Sequence, residues 1–367
     1  MVDLIDLVQT LTTPHPLDRY LELVKPTLTA RQMRAEVVRV GRSTPGSVTL
    51  TLRPTRHWRG HRAGQYVRLG IVIDGVRHSR CYSPVNAENG RGRHLQVTVK
   101  AHGDGLVSRY LHRSAKPGMV VDLEPAAGTF HLPRVRPDRV LLISGGSGIT
   151  PVLSMMRTLA AEDYRGEVVF LHYAKSPSLV PHREDLEAIA TAHPNFRVEL
   201  RYPGRPQVND AVDGPLTEIG GGAHLDRAEL DRVAPWFADA QTYVCGPEPL
   251  MAAAREIHRA AGVEDRLHTE EFTLTLAPVA PGEAEGTVCF SGSGVSADNN
   301  GASLLEQAEA AGLTPEYGCR MGICFSCTAV RRSGSTRNLR TGEIDSEADQ
   351  PIQLCVNAPA GDVDIDI

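Results

Sequence analysis

No uninterrupted apolar run in this sequence approaches the ~20 residues that cross a bilayer. The N-terminus lacks the basic start, apolar middle and small-residue cleavage site of a secretory leader. These absences predict a cytoplasmic protein. Three of the seven cysteines, Cys81, Cys245 and Cys289, are scattered and outline no disulfide framework. Clustered histidines of a diiron site and the paired Cys and His of a Rieske centre are missing too. The chain is therefore not expected to carry out a terminal oxidation itself.

The other four cysteines are concentrated. Gly318 to Cys327 reads GCRMGICFSC, with Cys319, four residues, Cys324, two residues, Cys327, and a long return to Cys355. This is the plant-type spacing for a [2Fe-2S] cluster held by four thiolates. Gly318 and Gly322 suit a loop that turns tightly, reaches positive φ and aims N–H groups at sulfur. A zinc knuckle or a disulfide pair are the alternatives. Zinc sites, however, usually show two close pairs rather than three ligands and a distant fourth.

At 367 residues the chain has room for two to three domains of ~150 residues each. The net charge of −5 hides an asymmetry. From Arg31 to Arg136 there are nineteen basic and six acidic residues, a balance of +13; from Glu285 to Ile367 there are five basic and twelve acidic, a balance of −7. Opposite signs favour association of the two parts and draw anionic partners to the basic one, unless the arginines are simply a solvated face. Nothing points to nucleic acid.

Residues 1–32 carry Leu4, Leu7, Val8 and Leu11 at helical spacing, then prolines at 14, 16 and 26, and read as a short helical extension that packs on the neighbouring domain. From about Met33 to Arg136, short alternating runs (Ala35 to Val40, Ser47 to Leu52, Tyr66 to Ile73, His94 to Lys100) separated by turn residues predict an antiparallel β-barrel. Within it Arg80, Cys81, Tyr82 and Ser83 form an R-x-Y-S element closed by Pro84. Gly103 to Ser108 is a glycine-bearing loop opening a helix, whose free N–H groups and positive dipole end suit a pyrophosphate.

Residues 137–273 change pattern. Val140 to Ile143 is a continuous apolar run, as in a strand buried on both faces. Ser144, Gly145, Gly146, Ser147, Gly148, Ile149, Thr150 and Pro151 come next. Strand, glycine loop and helix start in that order make a dinucleotide phosphate cradle on a parallel α/β sheet. The next strand, Glu167 to Tyr173, ends in Ala174, Lys175 and Ser176, with Arg183 beyond. An acid there would favour a free ribose 2′-hydroxyl, whereas Lys175 and Arg183 suit a 2′-phosphate, so NADPH is expected over NADH. Thr242 to Val244 then runs into Cys245, Gly246 and Pro247, and Glu270, Glu271 and Phe272 close the segment.

Residues 274–285 form a linker rich in Pro, Gly, Ala and Glu. In 286–367, Thr287 to Phe290 and Val295 read as strands, Ser303 to Ala311 as a helix, the neighbourhood of Gly334 as a hairpin, and Ile367 as the end of the last strand.

Read together, R-x-Y-S between Gly64-Gln65-Tyr66 and the helix start, the GGSGITP loop and the Cys245-Gly246-Pro247 element resemble the ferredoxin-NADP reductase superfamily. The resemblance implies that Tyr82 and Ser83 face an isoalloxazine, that Arg80 meets phosphates, and that Val99, Gly105, Val107 and Ser108 line an FAD site, with FMN as the alternative. It also implies that Gly145, Gly146, Gly148, Thr150, Cys245, Gly246 and Pro247 hold the nicotinamide nucleotide. Tyr82, Ser83 and Cys245 would then stand at the hydride transfer, and Phe272 is a candidate to cover the flavin.

The third module resembles the β-grasp fold of plant-type ferredoxins. The three modules in this order resemble one-chain reductases of the phthalate dioxygenase reductase type. The N-terminal Pro16, Leu17, Asp18, Tyr20 and Leu21 and the LRTGE segment at Leu339 to Glu343 further resemble the NADPH oxidoreductases that supply membrane acyl-CoA Δ9 desaturases.

The expected path is NADPH to FAD to [2Fe-2S] to a partner protein, because only a flavin joins a two-electron donor to a one-electron centre. That partner is expected to be a membrane desaturase, with peripheral membrane contact allowed. Two other readings stand: a reductase for a soluble Rieske-type or multicomponent oxygenase, and a cluster-based redox sensor or carrier, which would not need an intact nucleotide site.

Overall fold

The computed structural model describes residues 21, 27–30, 32–88, 94–103, 105–204, 215–221, 224–272, 284–317, 322 and 325–367. The helical extension expected over residues 1–32 and the linker at 274–285 lie for the most part outside the described residues. The chain divides into two compact units, Met1–Phe272 and Thr273–Ile367.

The first unit holds two six-stranded sheets. The N-terminal one is antiparallel, built from β1 (Arg34–Thr44), β2 (Ser47–Pro54), β3 (Val67–Ile73), β4 (Val76–Tyr82), β5 (Leu95–Lys100) and β6 (Val120–Leu123), in the order β4-β3-β6-β1-β2-β5. Alternation drives it: Val48, Leu50, Leu52, Val67, Leu69, Leu95 and Val97 are all fully buried in one core. Backbone pairing of Pro84 with Val97 joins the end of β4 to β5 and closes the barrel. Helix α1 (Leu106–Ser114) plugs that core with Val107 and Leu111.

The second sheet is wholly parallel, in the order β10-β9-β8-β7-β11-β12. Its strands are β7 (Arg139–Gly145), β8 (Glu167–Tyr173), β9 (Phe196–Tyr202), β10 (Leu216–Gly220), β11 (Gln241–Cys245) and β12 (Leu267–Glu270). Helices α2 (Ile149–Ala161), α3 (Arg183–Ala192), α4 (Arg227–Val233) and α5 (Glu248–Ala260) complete it. Val140 to Ile143 of β7 are fully buried because apolar clusters cover both faces. The strand order reverses between β7 and β11, where an open parallel sheet leaves a crevice at its carboxyl edge.

Within this unit the two sheets are locked together. Glu88 accepts from the Ala63 amide at 2.9 Å and from Arg136 at 3.0 Å, while its own amide donates to Thr158 Oγ1 on α2 at 2.9 Å. His131 lies at the same seam: its Nε2 meets Arg62 at 3.0 Å beside Phe130, which packs edge-on against Tyr243.

The second unit is a mixed sheet of β13 (Thr287–Phe290), β14 (Val295–Asp298), β15 (Thr328–Asn338), β16 (Ile344–Asp345) and β18 (Asn357–Asp366), with β17 (Gln350–Gln353) on β15. Helix α6 (Leu304–Ala310) crosses it, opened by a capping box between Ser303 and Glu306. The hairpin expected near Gly334 is formed by β15 and β16, but Gly334 is not its turn. It lies inside β15 beside a register shift, at φ +84, where a side chain would strike the Asp362 carbonyl at 2.1 Å. The turn falls instead at residues 339–343, where the Gly342 amide donates to the Asn338 carbonyl.

Candidate active site

Edge strand β4 brings Arg80 and Tyr82 to one end of the barrel, and Pro84 ends the strand just after Ser83. Tyr82 packs half-buried on the barrel core, and burial pushes its phenol well above the ordinary value. Arg80 donates to the Ser79 carbonyl at 2.7 Å. Ser83 is 3% exposed, and among the described residues its Oγ has no hydrogen-bond partner. A buried hydroxyl left so costs about 1–3 kcal/mol, and it fits a site completed by a polar atom of a bound group.

At α1 the first helical bond runs from the Arg109 amide to the Gly105 carbonyl, so among the described residues the amides of Leu106, Val107 and Ser108 have no helical partner, a helix start that suits an anionic group. Gly105 leaves the approach open: a Cβ there would stand 2.3 Å from Ser108 Oγ. Two expected contacts change character. Val99 and Val107 turn their side chains into the barrel core, so only their backbone can face a cofactor. The Ser108 hydroxyl is engaged in its own loop, donating to the Gly105 carbonyl at 3.1 Å and accepting from the His102 amide at 3.2 Å. Local bonding of this kind competes with any ligand.

The nucleotide loop is built on close approach. A Cβ on Gly145 would meet Pro247 at 2.7 Å, and one on Gly148 would meet the Cys245 carbonyl at 2.0 Å. One on Gly246 would meet Leu250 at 2.8 Å. The loops after β7 and β11 therefore interlock without side chains, and Gly146 turns with φ +55. Thr150 is buried and donates to the Ser147 carbonyl at 3.2 Å, bracing the helix start.

Cys245 is fully buried, and burial raises its thiol, so it is a packing surface rather than a thiolate. Its strand neighbour is Glu270, whose Oε2 is shut from solvent without a partner among the described residues and whose carboxyl burial pushes up to about 8. Phe272 packs on the same apolar cluster as Cys245. Beneath the glycine loop, Ser144 Oγ meets His172 Nδ1 at 2.9 Å, and burial lowers this imidazole to about 3, keeping it neutral.

Two residues were not legible from sequence. Glu270 sits in a short final strand with no local pattern, and Lys100 looks like any solvated strand end. In space the Lys100 Nζ lies 3.8 Å from where a Cβ on Gly146 would be, a cation placed at a phosphate loop. Lys175 is exposed just beyond β8. Arg183 is the first residue of α3. It donates to Glu187 at 3.1 Å and binds Glu218 on edge strand β10, which also accepts from Tyr202. Its guanidinium is thus paired with two carboxylates.

In the second unit Cys327 and Cys355 are buried, and the Leu354 amide donates to the Cys327 carbonyl at 3.0 Å, holding the two thiol-bearing segments together. Cys319, Cys324 and Gly318 lie outside the described residues. Gly322 has the positive φ expected of it, +68, with a would-be Cβ 2.8 Å from Val356, next to Cys355. None of the five described cysteines forms a disulfide.

Models of three families match in chain order: an oxidoreductase FAD-binding domain over residues 39–132, an oxidoreductase NAD-binding domain over 142–256 and a 2Fe-2S iron-sulfur cluster binding domain over 289–359. The NADPH oxidoreductase of Mycobacterium tuberculosis is 37% identical over 361 residues, 97% of this chain and 90% of that protein. The chain belongs to this oxidoreductase family. The reductase is also similar to the glycine betaine monooxygenase reductase subunit of Pseudomonas aeruginosa, 29% identical over 83% of this chain and 86% of that one. Its fold matches phthalate dioxygenase reductase, TM-score 0.60 at 22% identity over 91% and 97% of the chains. It is an enzyme that uses FAD, a [2Fe-2S] cluster and a nicotinamide nucleotide to move electrons. Among the described residues no helix is long and apolar enough to cross a membrane.

Proposed function

We propose that this reductase oxidises NADPH and passes single electrons through its cluster to a membrane acyl-CoA or fatty-acid desaturase. The observation that carries the reading is the extent of the match to the M. tuberculosis NADPH oxidoreductase. At 97% of the chain it reaches into the segment before the barrel, whereas the monooxygenase reductase covers 83%. That segment and the Leu339 to Glu343 motif are the parts of the sequence that resemble desaturase reductases.

FAD, when bound, accepts a hydride from NADPH and returns the two electrons one at a time. In this reading the chain's own residues place the partners. The amides opening α1 and the Arg80 guanidinium receive phosphates, and Tyr82 offers an aromatic face. The loops at Gly146 and Gly246, with Lys100 beside them, seat the dinucleotide, and exposed Lys175 meets the 2′-phosphate. Ser83 offers its partnerless hydroxyl to the reacting edge. Glu270, protonated at neutral pH, can give or hold a proton near Cys245. The four cysteines hold the cluster.

A soluble oxygenase as acceptor is the second reading, favoured by the names of relatives such as the glycine betaine monooxygenase reductase subunit and the stachydrine N-demethylase reductase subunit of Rhizobium meliloti. The test is reconstitution. The purified reductase and NADPH are added either to membranes containing an acyl-CoA desaturase or to a purified Rieske oxygenase. Product in the first mixture supports the proposal. Product in the second alone overturns it.

A further inference from the structure

The interface between barrel and nucleotide sheet contains a closed circuit of polar side chains that none of the cofactor motifs includes. It is centred on His182, which precedes α3 with φ 57 and ψ 30, a left-handed conformation that a residue with a side chain seldom adopts. Its imidazole is 9% exposed. Nε2 meets Thr98 Oγ1 of β5 at 2.7 Å, and Thr98 in turn meets Thr49 Oγ1 of β2 at 2.9 Å. Nδ1 faces Asp185 Oδ2 and Arg157 Nη2, each at 3.2 Å. Arg157, on α2, binds Asp185 and donates from Nη1 to the Val85 carbonyl at 2.6 Å, just past the end of β4. The circuit leaves the barrel at Thr98 and returns to it at Val85.

Its position gives the circuit a use. A narrow cleft lies between the two sheets, lined on the barrel side by Ser47, Thr98 and Lys100 and on the other by Gly146, Ser147 and Thr150. Pro181, next to His182, is also in its wall. The His182–Thr98 bond thus ties the wall carrying the dinucleotide loop to the strand carrying Lys100. Hydride transfer demands that donor and acceptor atoms, held on opposite sheets, approach to within ~3–3.5 Å, and a misplacement of ~1 Å can cost ~100-fold in rate. A strained backbone whose side chain is held by three polar partners is over-determined in the way that positional constraints are.

We propose that His182 is a positioning residue for hydride transfer: through Thr98 it fixes the spacing of the nucleotide sheet from the flavin barrel. The inference rests on the assignment of the Gly146 loop to the nucleotide.

The experiment is anaerobic stopped-flow reduction of the holoenzyme by NADPH, separating the limiting rate from the apparent Kd, for wild type, His182→Gly, His182→Gln, Thr98→Val and the double variant His182→Gly/Thr98→Val. Glycine relieves the backbone strain while deleting the imidazole, so this variant is expected to fold; thermal melting checks it. The expected result is a limiting rate down ~10- to 100-fold in His182→Gly with Kd changed by less than ~3-fold. Partial recovery is expected in His182→Gln, and no further loss in the double variant beyond Thr98→Val. Amide hydrogen exchange over residues 95–100 of FAD-free protein should quicken in His182→Gly. Wild-type rates and unchanged exchange in His182→Gly overturn the proposal, as does additive loss in the double variant. Failure of wild type to be reduced would instead remove the nucleotide assignment.

Discussion

The carbonyl oxygen of Cys245 stands 2.0 Å from the point that a β-carbon on Gly148 would occupy. Two loops that extend from different strands, β7 and β11, meet backbone to backbone at the crevice of the sheet. Gly148→Ala should therefore force the loops apart, at a cost of about 1–3 kcal/mol or more. Urea denaturation should show the loss, and added NADP⁺ should stabilise the variant less than wild type. Gly146→Ala, with nothing nearer than the Lys100 Nζ at 3.8 Å, should cost only the about 1–2 kcal/mol of its left-handed backbone.

Ser83→Ala should leave the FAD-free protein as stable as wild type or slightly more so, because the Oγ it removes has no partner among the described residues. Reduction by NADPH should slow by ~10-fold or more if that hydroxyl serves the reacting edge. Equal rates would free Ser83 of a role in hydride transfer.

Glu270 gives a signed pH dependence. Burial raises it from 4.5 to about 8, so the native state keeps this proton where the unfolded chain has lost it. Its contribution to stability is full below about pH 4.5, declines as pH rises, and is gone once the native group ionises near about pH 8. Glu270→Gln should flatten this decline in the FAD-free protein, read by urea midpoints across the same range. An unchanged slope would assign the decline to other groups.

Cys355→Ser should separate the two halves of the electron path. Ferricyanide reduction by NADPH, which the flavin can drive directly, should stay within ~2-fold of wild type, while cytochrome c reduction and the cluster's EPR signal are lost. Loss of both reductions with FAD retained would contradict the order of carriers.

Lys175 and Arg183 should behave differently. Arg183→Ala removes the partner of Glu218 and should lower thermal stability while affecting NADPH and NADH alike. Lys175→Ala should raise the KM for NADPH several-fold and leave that for NADH unchanged. The opposite pattern would return the 2′-phosphate to Arg183.

Much of this protein was legible in its sequence because the signals are local. Alternation from Ala35 to Lys100 specified half-buried strands, and the unbroken run Val140 to Ile143 specified a strand covered on both faces. Glycines at 145, 146, 148 and 322 announced positions where backbone must turn sharply or be closely approached, since only a residue without a Cβ can stand there. Gly334 carries the same requirement and reads locally as a turn, because a sequence shows that a Cβ is excluded but not what excludes it.

Tertiary structure decided what depends on residues far apart in the chain. Arg183 is drawn to Glu218, thirty-five positions away, by a pairing that no local pattern encodes. Glu270 owes its raised carboxyl to burial beside β11, and Lys100 owes its place to the packing of one sheet on another. The His182 circuit joins five segments and exists only once both sheets are formed. Spacing along the chain determines which backbone shapes are possible. Desolvation and charge pairing, which arise only between folded surfaces, determine which side chains are left for chemistry.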